Sequence, residues 1–254
     1  MRTIFILITT LLITLNSTFA QNAQDEIWLD INGVRDLTAD SIALANTARP
    51  IPGSSRKGNN PVLFLVGNST MRTGTMGNGN NGQWGWGYFE HEYFDENKIT
   101  VENHALGGTS PRTFYKSPDL WARTLKGVRK GDYVFLELGH NDNGPIDSIA
   151  RSSYRPDGKL CLSDDSIIIY NKVRKCQDTV YTFGGYTRRF INEVRAKGAF
   201  PVLFTLTPRN DYENDGKTIQ RKLTDFTPAI FAIGKEMNVP VIDLNDISAR
   251  KLEQ

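Results

Sequence analysis

A chain of 254 residues, at roughly 150 residues per domain, makes one large domain or two small ones. Hydrophobic residues are 39% of the chain, with 13 Phe, 9 Tyr and 4 Trp, which is enough for a core and excludes wholesale disorder. Thirty Lys and Arg against 28 Asp and Glu leave +2 with no basic block, which argues against nucleic acid as a partner.

The first twenty residues read as a signal peptide. Arg2 is a short positive start, Ile4 to Leu15 is apolar but for threonines, and Thr18-Phe19-Ala20 offers small residues for cleavage before Gln21. The run is too short to span a bilayer, and no later segment is long and apolar enough, so no membrane span is expected in the mature chain. Export to the periplasm or the medium follows as an expectation.

Residues 21–60 are polar and end in Pro50, Pro52, Gly53, Ser54, Ser55 and Gly58, a lead-in rather than an element. From Pro61 the pattern changes. Val62 to Val66 is a continuous apolar run, as expected of a strand buried on both faces. Similar runs occupy Thr100–Ala105, Tyr133–Leu138, Pro201–Leu206 and Pro240–Leu244. Between them, Tyr186, Phe190, Ile191 and Val194 fall on one helical face before the stop at Lys197-Gly198. Leu223, Phe226, Ile230, Ile233 and Met237 mark another, with Pro228 either starting or kinking it.

Strands alternating with amphipathic helices predict a three-layer α/β/α sandwich on a five-stranded parallel sheet. Residues 143–182 break the rhythm and read as an insertion. Cys161 and Cys176 lie within it, and in an exported protein they predict a disulfide worth about 3 kcal/mol; the alternative is two unpaired thiols. Their spacing, without a nearby His, does not suit a metal.

Ligands of such sheets bind at the carboxyl ends of the strands, where three polar clusters stand. Gly67-Asn68-Ser69-Thr70 follows the first strand and presents a serine on a tight turn. Gly107-Gly108-Thr109 follows the second, with backbone N–H groups free to meet an oxyanion. Gly139-His140-Asn141-Asp142 follows the third and adds a side-chain amide. Each alone is an ordinary turn former, but their joint placement after three successive strands is not.

These blocks, with Asn103-x-Ala105-x-Gly107-Gly108 and the supporting Asn80-Asn81-Gly82-Gln83-Trp84-Gly85-Trp86-Gly87, resemble the SGNH (GDSL-like) hydrolases, a flavodoxin-like fold. More narrowly, they are similar to the rhamnogalacturonan acetylesterase group, from Pro61 to the C-terminus. The resemblance implies that Ser69 is the nucleophile of an acetyl-serine mechanism. It also implies an oxyanion hole from the N–H groups of Ser69 and Gly108 and the side chain of Asn141. No metal or cofactor is implied, and the partner would be an acetylated plant cell-wall polysaccharide or oligosaccharide.

Two departures stand out. Asn68 takes the place where the family usually has Asp, keeping an acceptor and a supporting role but losing the charge. The family's closing Asp-x-x-His, source of the general base, has no counterpart after Val241, where Asp243-Leu244-Asn245-Asp246 ends in Asp. The chain holds only His91, His104 and His140. His91 reads as solvated surface, His104 as a hydrogen-bonded residue of a buried strand, and His140 as part of the third block.

Impaired turnover is therefore expected. The rival readings are a non-catalytic exported carbohydrate-binding protein and a non-functional esterase fragment. Trp84 and Trp86 are candidates to face a sugar ring, with core packing as the alternative. Arg112, and Arg72 beside it in the reading, are candidates to meet uronate groups, against the commoner structural ion pair.

Overall fold

Val62–Gly67 forms β1, and all six of its residues are buried, as the unbroken apolar run requires. The computed structural model describes residues 56–72, 85–148, 151–158, 162–172, 174–221 and 226–254. The expected signal peptide, most of residues 21–60, Trp84, Cys161 and Leu223 lie outside the described residues.

The strands β2 (Thr100–Asn103), β3 (Tyr133–Glu137), β6 (Phe200–Phe204) and β7 (Val241–Ile242) join β1 in one parallel sheet of order β2-β1-β3-β6-β7. All five fall within or one residue beside the expected runs. The last is the shortest because Asp243 leaves the strand to cap a helix, accepting from the Asp246 N–H at 3.3 Å. Two further strands, β4 (Ser166–Asn171) and β5 (Cys176–Tyr181), form a separate antiparallel hairpin inside the 143–182 stretch.

The helices follow local signals. In α1 (Pro111–Lys116), Ser110 and Thr113 form a reciprocal capping box, and Pro111 occupies the first helical position, where a missing N–H is harmless. A π-helical turn over Pro118–Ala122 leads into α2 (Arg123–Gly127). Thr182 caps α3 (Phe183–Ala196) through the Gly185 N–H at 3.0 Å, and Tyr186, Phe190, Ile191 and Val194 are all buried, as their spacing predicts. In α4 (Phe226–Met237), Pro228 sits in the first turn and starts the helix rather than kinking it, while Ile230 and Ile233 are buried. The chain ends in α5 (Leu244–Leu252).

Helices α1, α3 and α4 cover one face of the sheet, packing on Val62, Phe64, Val66, Val134, Leu136 and Leu203. On the other face Leu63, Leu65, Met71 and Ala105 form a smaller cluster with Trp86, Phe94 and Ile99 from the segment between β1 and β2. The fold is thus the three-layer α/β/α sandwich expected. No helix among the described residues is long and apolar enough to cross a membrane.

One buried carboxylate levels the lower ends of β1 and β3. Asp132, fully buried, accepts the Val62 N–H at 2.9 Å and the Arg129 N–H at 2.7 Å, and pairs with Arg56 at 2.6 Å. Removing one partner of a buried pair strands the other charge, at a cost of about 3–5 kcal/mol. Asp132→Ala is therefore expected to lower the unfolding free energy by about that much in urea titration. A loss below about 1 kcal/mol, the worth of an exposed pair, would show that this clamp is not needed.

Candidate active site

The first block is built by the turn that ends β1. A Cβ at Gly67 would lie 2.7 Å from the Met71 sulfur and 3.1 Å from the Glu137 carbonyl oxygen, so only glycine lets the chain turn this closely. Asn68 is fully buried and organises the turn: its carbonyl accepts from Met71 and Arg72 at 3.2 and 3.0 Å, and its Oδ1 accepts from Thr70 N at 3.1 Å. Ser69 stands on the crest, partly exposed.

The second block is tied to the first through Gly67, whose carbonyl accepts from Leu106 N at 3.1 Å and Thr109 Oγ1 at 3.2 Å. This brings Gly107 alongside the serine, since a Cβ at Gly107 would be 3.8 Å from Ser69 Cβ. Gly108 has φ +80°, a left-handed conformation that turns its backbone in a way other residues resist.

The third block closes the group. Asn141 donates one amide hydrogen to the Thr109 carbonyl at 3.0 Å, which seats it against the second block and leaves its other hydrogen for a ligand. Asp142 beneath it is buried, and burial raises its pKa against the hydrogen bonds from Ser153 at 2.6 and 2.7 Å and the neighbouring Arg155. These contacts fix the loop after β3 to residues 151–155.

Because β1 lies between β2 and β3, the loops that hold Gly108 and Asn141 flank the one that holds Ser69. An oxyanion hole would draw on loops arranged in this way, one on either side of the serine turn.

Sequence reading missed Glu137, the last residue of β3. It is fully buried, and its carboxylate accepts from Thr70 Oγ1 at 3.0 Å, Trp86 Nε1 at 2.9 Å, and Thr207 N and Oγ1 at 3.2 and 3.3 Å. The available signal was an acidic residue closing the otherwise uncharged strand Tyr-Val-Phe-Leu-Glu.

The sugar-binding candidates are placed differently. Trp86 is half-buried, stacks on Phe204 with ring centroids 5.4 Å apart, and gives its indole N–H to Glu137, so its polar edge supports the site from behind. Arg112 is a correction. It is 1% exposed and donates to the carbonyls of Ile146 and Ser152 and to Asp178 at 2.6 Å, binding the β4–β5 hairpin to α1 rather than facing a substrate. Arg72 is buried beside Gly107, and that burial lowers its pKa. The expected disulfide is not seen either: Cys176 is an exposed free thiol, and Cys161 lies outside the described residues.

None of the histidines hydrogen-bonds Ser69 among the described residues. His91 Nδ1 lies 2.7 Å from the Tyr88 carbonyl oxygen, His140 Nε2 lies 3.1 Å from Thr207 Oγ1, and His104 is held between Thr124 at 2.7 Å and Glu102 at 3.1 Å.

A match to the GDSL-like lipase/acylhydrolase family covers residues 63–253. The chain belongs to that family. Its residues are 30% identical over 186 positions to a probable rhamnogalacturonan acetylesterase, YesY, of Bacillus subtilis, covering 73% of this chain and 71% of that protein. The rhamnogalacturonan acetylesterase RhgT of the same organism is 31% identical over 160 residues, 63% of this chain and 55% of its own length. Among solved structures, the Bacillus subtilis protein YxiM superposes with a TM-score of 0.56 at 26% identity, over 77% of this chain and 46% of that one. The chain thus spans about half to seven-tenths of the curated relatives' length.

Burial lowers the His104 pKa, the charged neighbour Glu102 opposing it only in part. A histidine kept neutral in the fold binds fewer protons than its unfolded counterpart, so its contribution to stability is present above about pH 6.5 and is lost as pH falls below it. Urea titrations between pH 7.5 and 5 are expected to show stability falling toward acid more steeply in the wild type than in His104→Gln. Parallel curves would mean that His104 does not titrate with unfolding.

Proposed function

We propose that this chain has the chemistry of a carbohydrate O-acetylesterase of the rhamnogalacturonan acetylesterase kind, exported behind its first twenty residues. The carrying observation is the placement of Ser69 between the loops of Gly108 and Asn141 on adjoining parallel strands. The names of the relatives supply the substrate class, O-acetyl groups on rhamnogalacturonan.

Ser69 Oγ attacks the acetyl carbonyl, and the resulting oxyanion accepts from the N–H groups of Ser69 and Gly108 and from Asn141 Nδ2. Each such donor is worth about 3 kcal/mol of barrier. Collapse expels the sugar hydroxyl and leaves acetyl-Ser69, which water then hydrolyses. Both halves need a proton acceptor near Ser69. Because the three histidines are engaged elsewhere, turnover by residues 1–254 alone is expected to be slow. The same placement favours a second reading, a protein that holds an acetylated glycan in this cleft without turning it over.

Hydrolysis of p-nitrophenyl acetate and acetate release from acetylated rhamnogalacturonan separate the two readings. Ser69→Ala is expected to abolish whatever rate the wild type shows above buffer. Equal rates in the two proteins would remove Ser69 as nucleophile, and binding of the acetylated polymer without release of acetate would favour the second reading.

A further inference from the structure

Thr70 follows the nucleophile directly, and its hydroxyl is shared in an unusual way. Its single proton faces Asn68 Oδ1 at 2.9 Å and both oxygens of Glu137 at 3.0 Å. The Thr70 N–H also points at Asn68 Oδ1, which fixes that side chain with its oxygen toward the threonine. Two fully buried acceptor groups, residues 68 and 137, thus converge on one donor hydroxyl.

Such an arrangement tolerates one carboxylate. Two buried carboxylates meeting at one hydroxyl repel, and one of them takes up a proton. Asn at position 68 supplies the turn-forming oxygen without adding a second charge. Among the described residues, the other groups facing Glu137 are Trp86, Thr207 and His140, the last with Nε2 at 3.6 Å. Glu137 therefore draws together the turn after β1, the segment carrying Trp86 and the loop after β6.

We propose that Glu137 is a positioning residue for Ser69, acting through Thr70, and that Asn68 is the neutral partner that allows a buried carboxylate to fill this role. The role is tied to the reading of Ser69 as nucleophile, but its test does not depend on turnover. Asn68→Asp would give the folded protein a carboxyl that holds a proton where the unfolded chain has lost it. Stability relative to wild type then falls as pH rises above the ordinary carboxylate range, by up to about tenfold in the folded-to-unfolded ratio per pH unit.

Urea titrations from pH 5 to 8 on wild type, N68D, E137Q and the double variant N68D/E137Q test this. The expected result is a slope with pH in N68D that disappears in the double variant. Parallel curves for N68D and wild type, or a slope that survives in the double variant, would overturn the pairing. Should N68D fail to fold at every pH, the double variant is expected to recover folding, and its failure to do so counts against the proposal.

Amide exchange of E137Q reports positioning directly. Faster exchange is expected at Met71, Arg72 and Thr207, with Phe190 to Val194 in α3 unchanged, and uniform change or none would overturn it. Labelling of Ser69 by an alkyl fluorophosphonate, with Ser69→Ala as blank, is read in parallel. An unlabelled wild type defeats the serine-hydrolase reading alone, while the stability and exchange measurements still decide the role of Glu137.

Discussion

Everything at the catalytic end depends on β1 being the shared neighbour of β2 and β3. Parallel pairing sets Leu63 against both Val101 and Tyr133, and Gly67 against Glu137. Once those registers hold, the loops that leave the three strands begin at fixed heights and have little freedom. The Gly67 carbonyl then binds the second block directly, and Asn141 reaches the second block through the Thr109 carbonyl. A one-residue slip would reverse which side chains point into each face and would shift the Ser69 turn relative to the loops of Gly108 and Asn141.

The same architecture explains why so many charges are buried. Asp132 at one end of the sheet, Glu137 at the other, and Asp178 between α1 and the hairpin are each taken out of water, and each is met by several donors. A buried charge gains little net stability over an apolar side chain of the same shape. What it supplies is direction. Asp132 accepts from the first residue of β1 and from the loop before β3, and Asp178 receives Arg112 and Lys116 of α1 together with Asn171 of β4. An apolar substitute would fill the volume at each place without selecting which backbone comes near.

How much of this was legible in the sequence follows from which forces act locally. The five strands of the parallel sheet and the buried face of α3 were readable because burial leaves a continuous apolar run or a helical period in the chain itself. The turns that carry Ser69, Gly108 and Asn141 were readable because turn chemistry is local and each turn follows a strand within a few residues. Arg112 was left between a uronate contact and a structural ion pair, because its partner lies sixty-six residues away in the chain. Glu137 was overlooked for the same reason: its donors are Thr70, Trp86 and Thr207, which only the sheet order brings together. Trp86 fell between these cases, its aromatic face predictable but the direction of its indole N–H set by Glu137.

Ser69, Gly108 and Asn141 are placed by the first three strands of the sheet, whereas a general base for the proposed reaction would have to come from elsewhere. The region after β7 shows why these are separable. Asp243 accepts from Thr205 Oγ1 at 2.8 Å and from the Asp246 N–H, so it works as the cap of α5. Asn245 in turn donates to the Leu206 carbonyl at 2.8 Å, and Arg221 joins Asp246 to Glu253. This region is therefore held by contacts to the loop after β6, and among the described residues it makes none of the hydrogen bonds given above for the Ser69 turn. The binding half of the chemistry is a property of strand register, and the proton-transfer half is a property of whichever side chain is brought to Ser69. The first can be intact in a chain whose second is weak, which is why activity and geometry have to be measured separately in this protein.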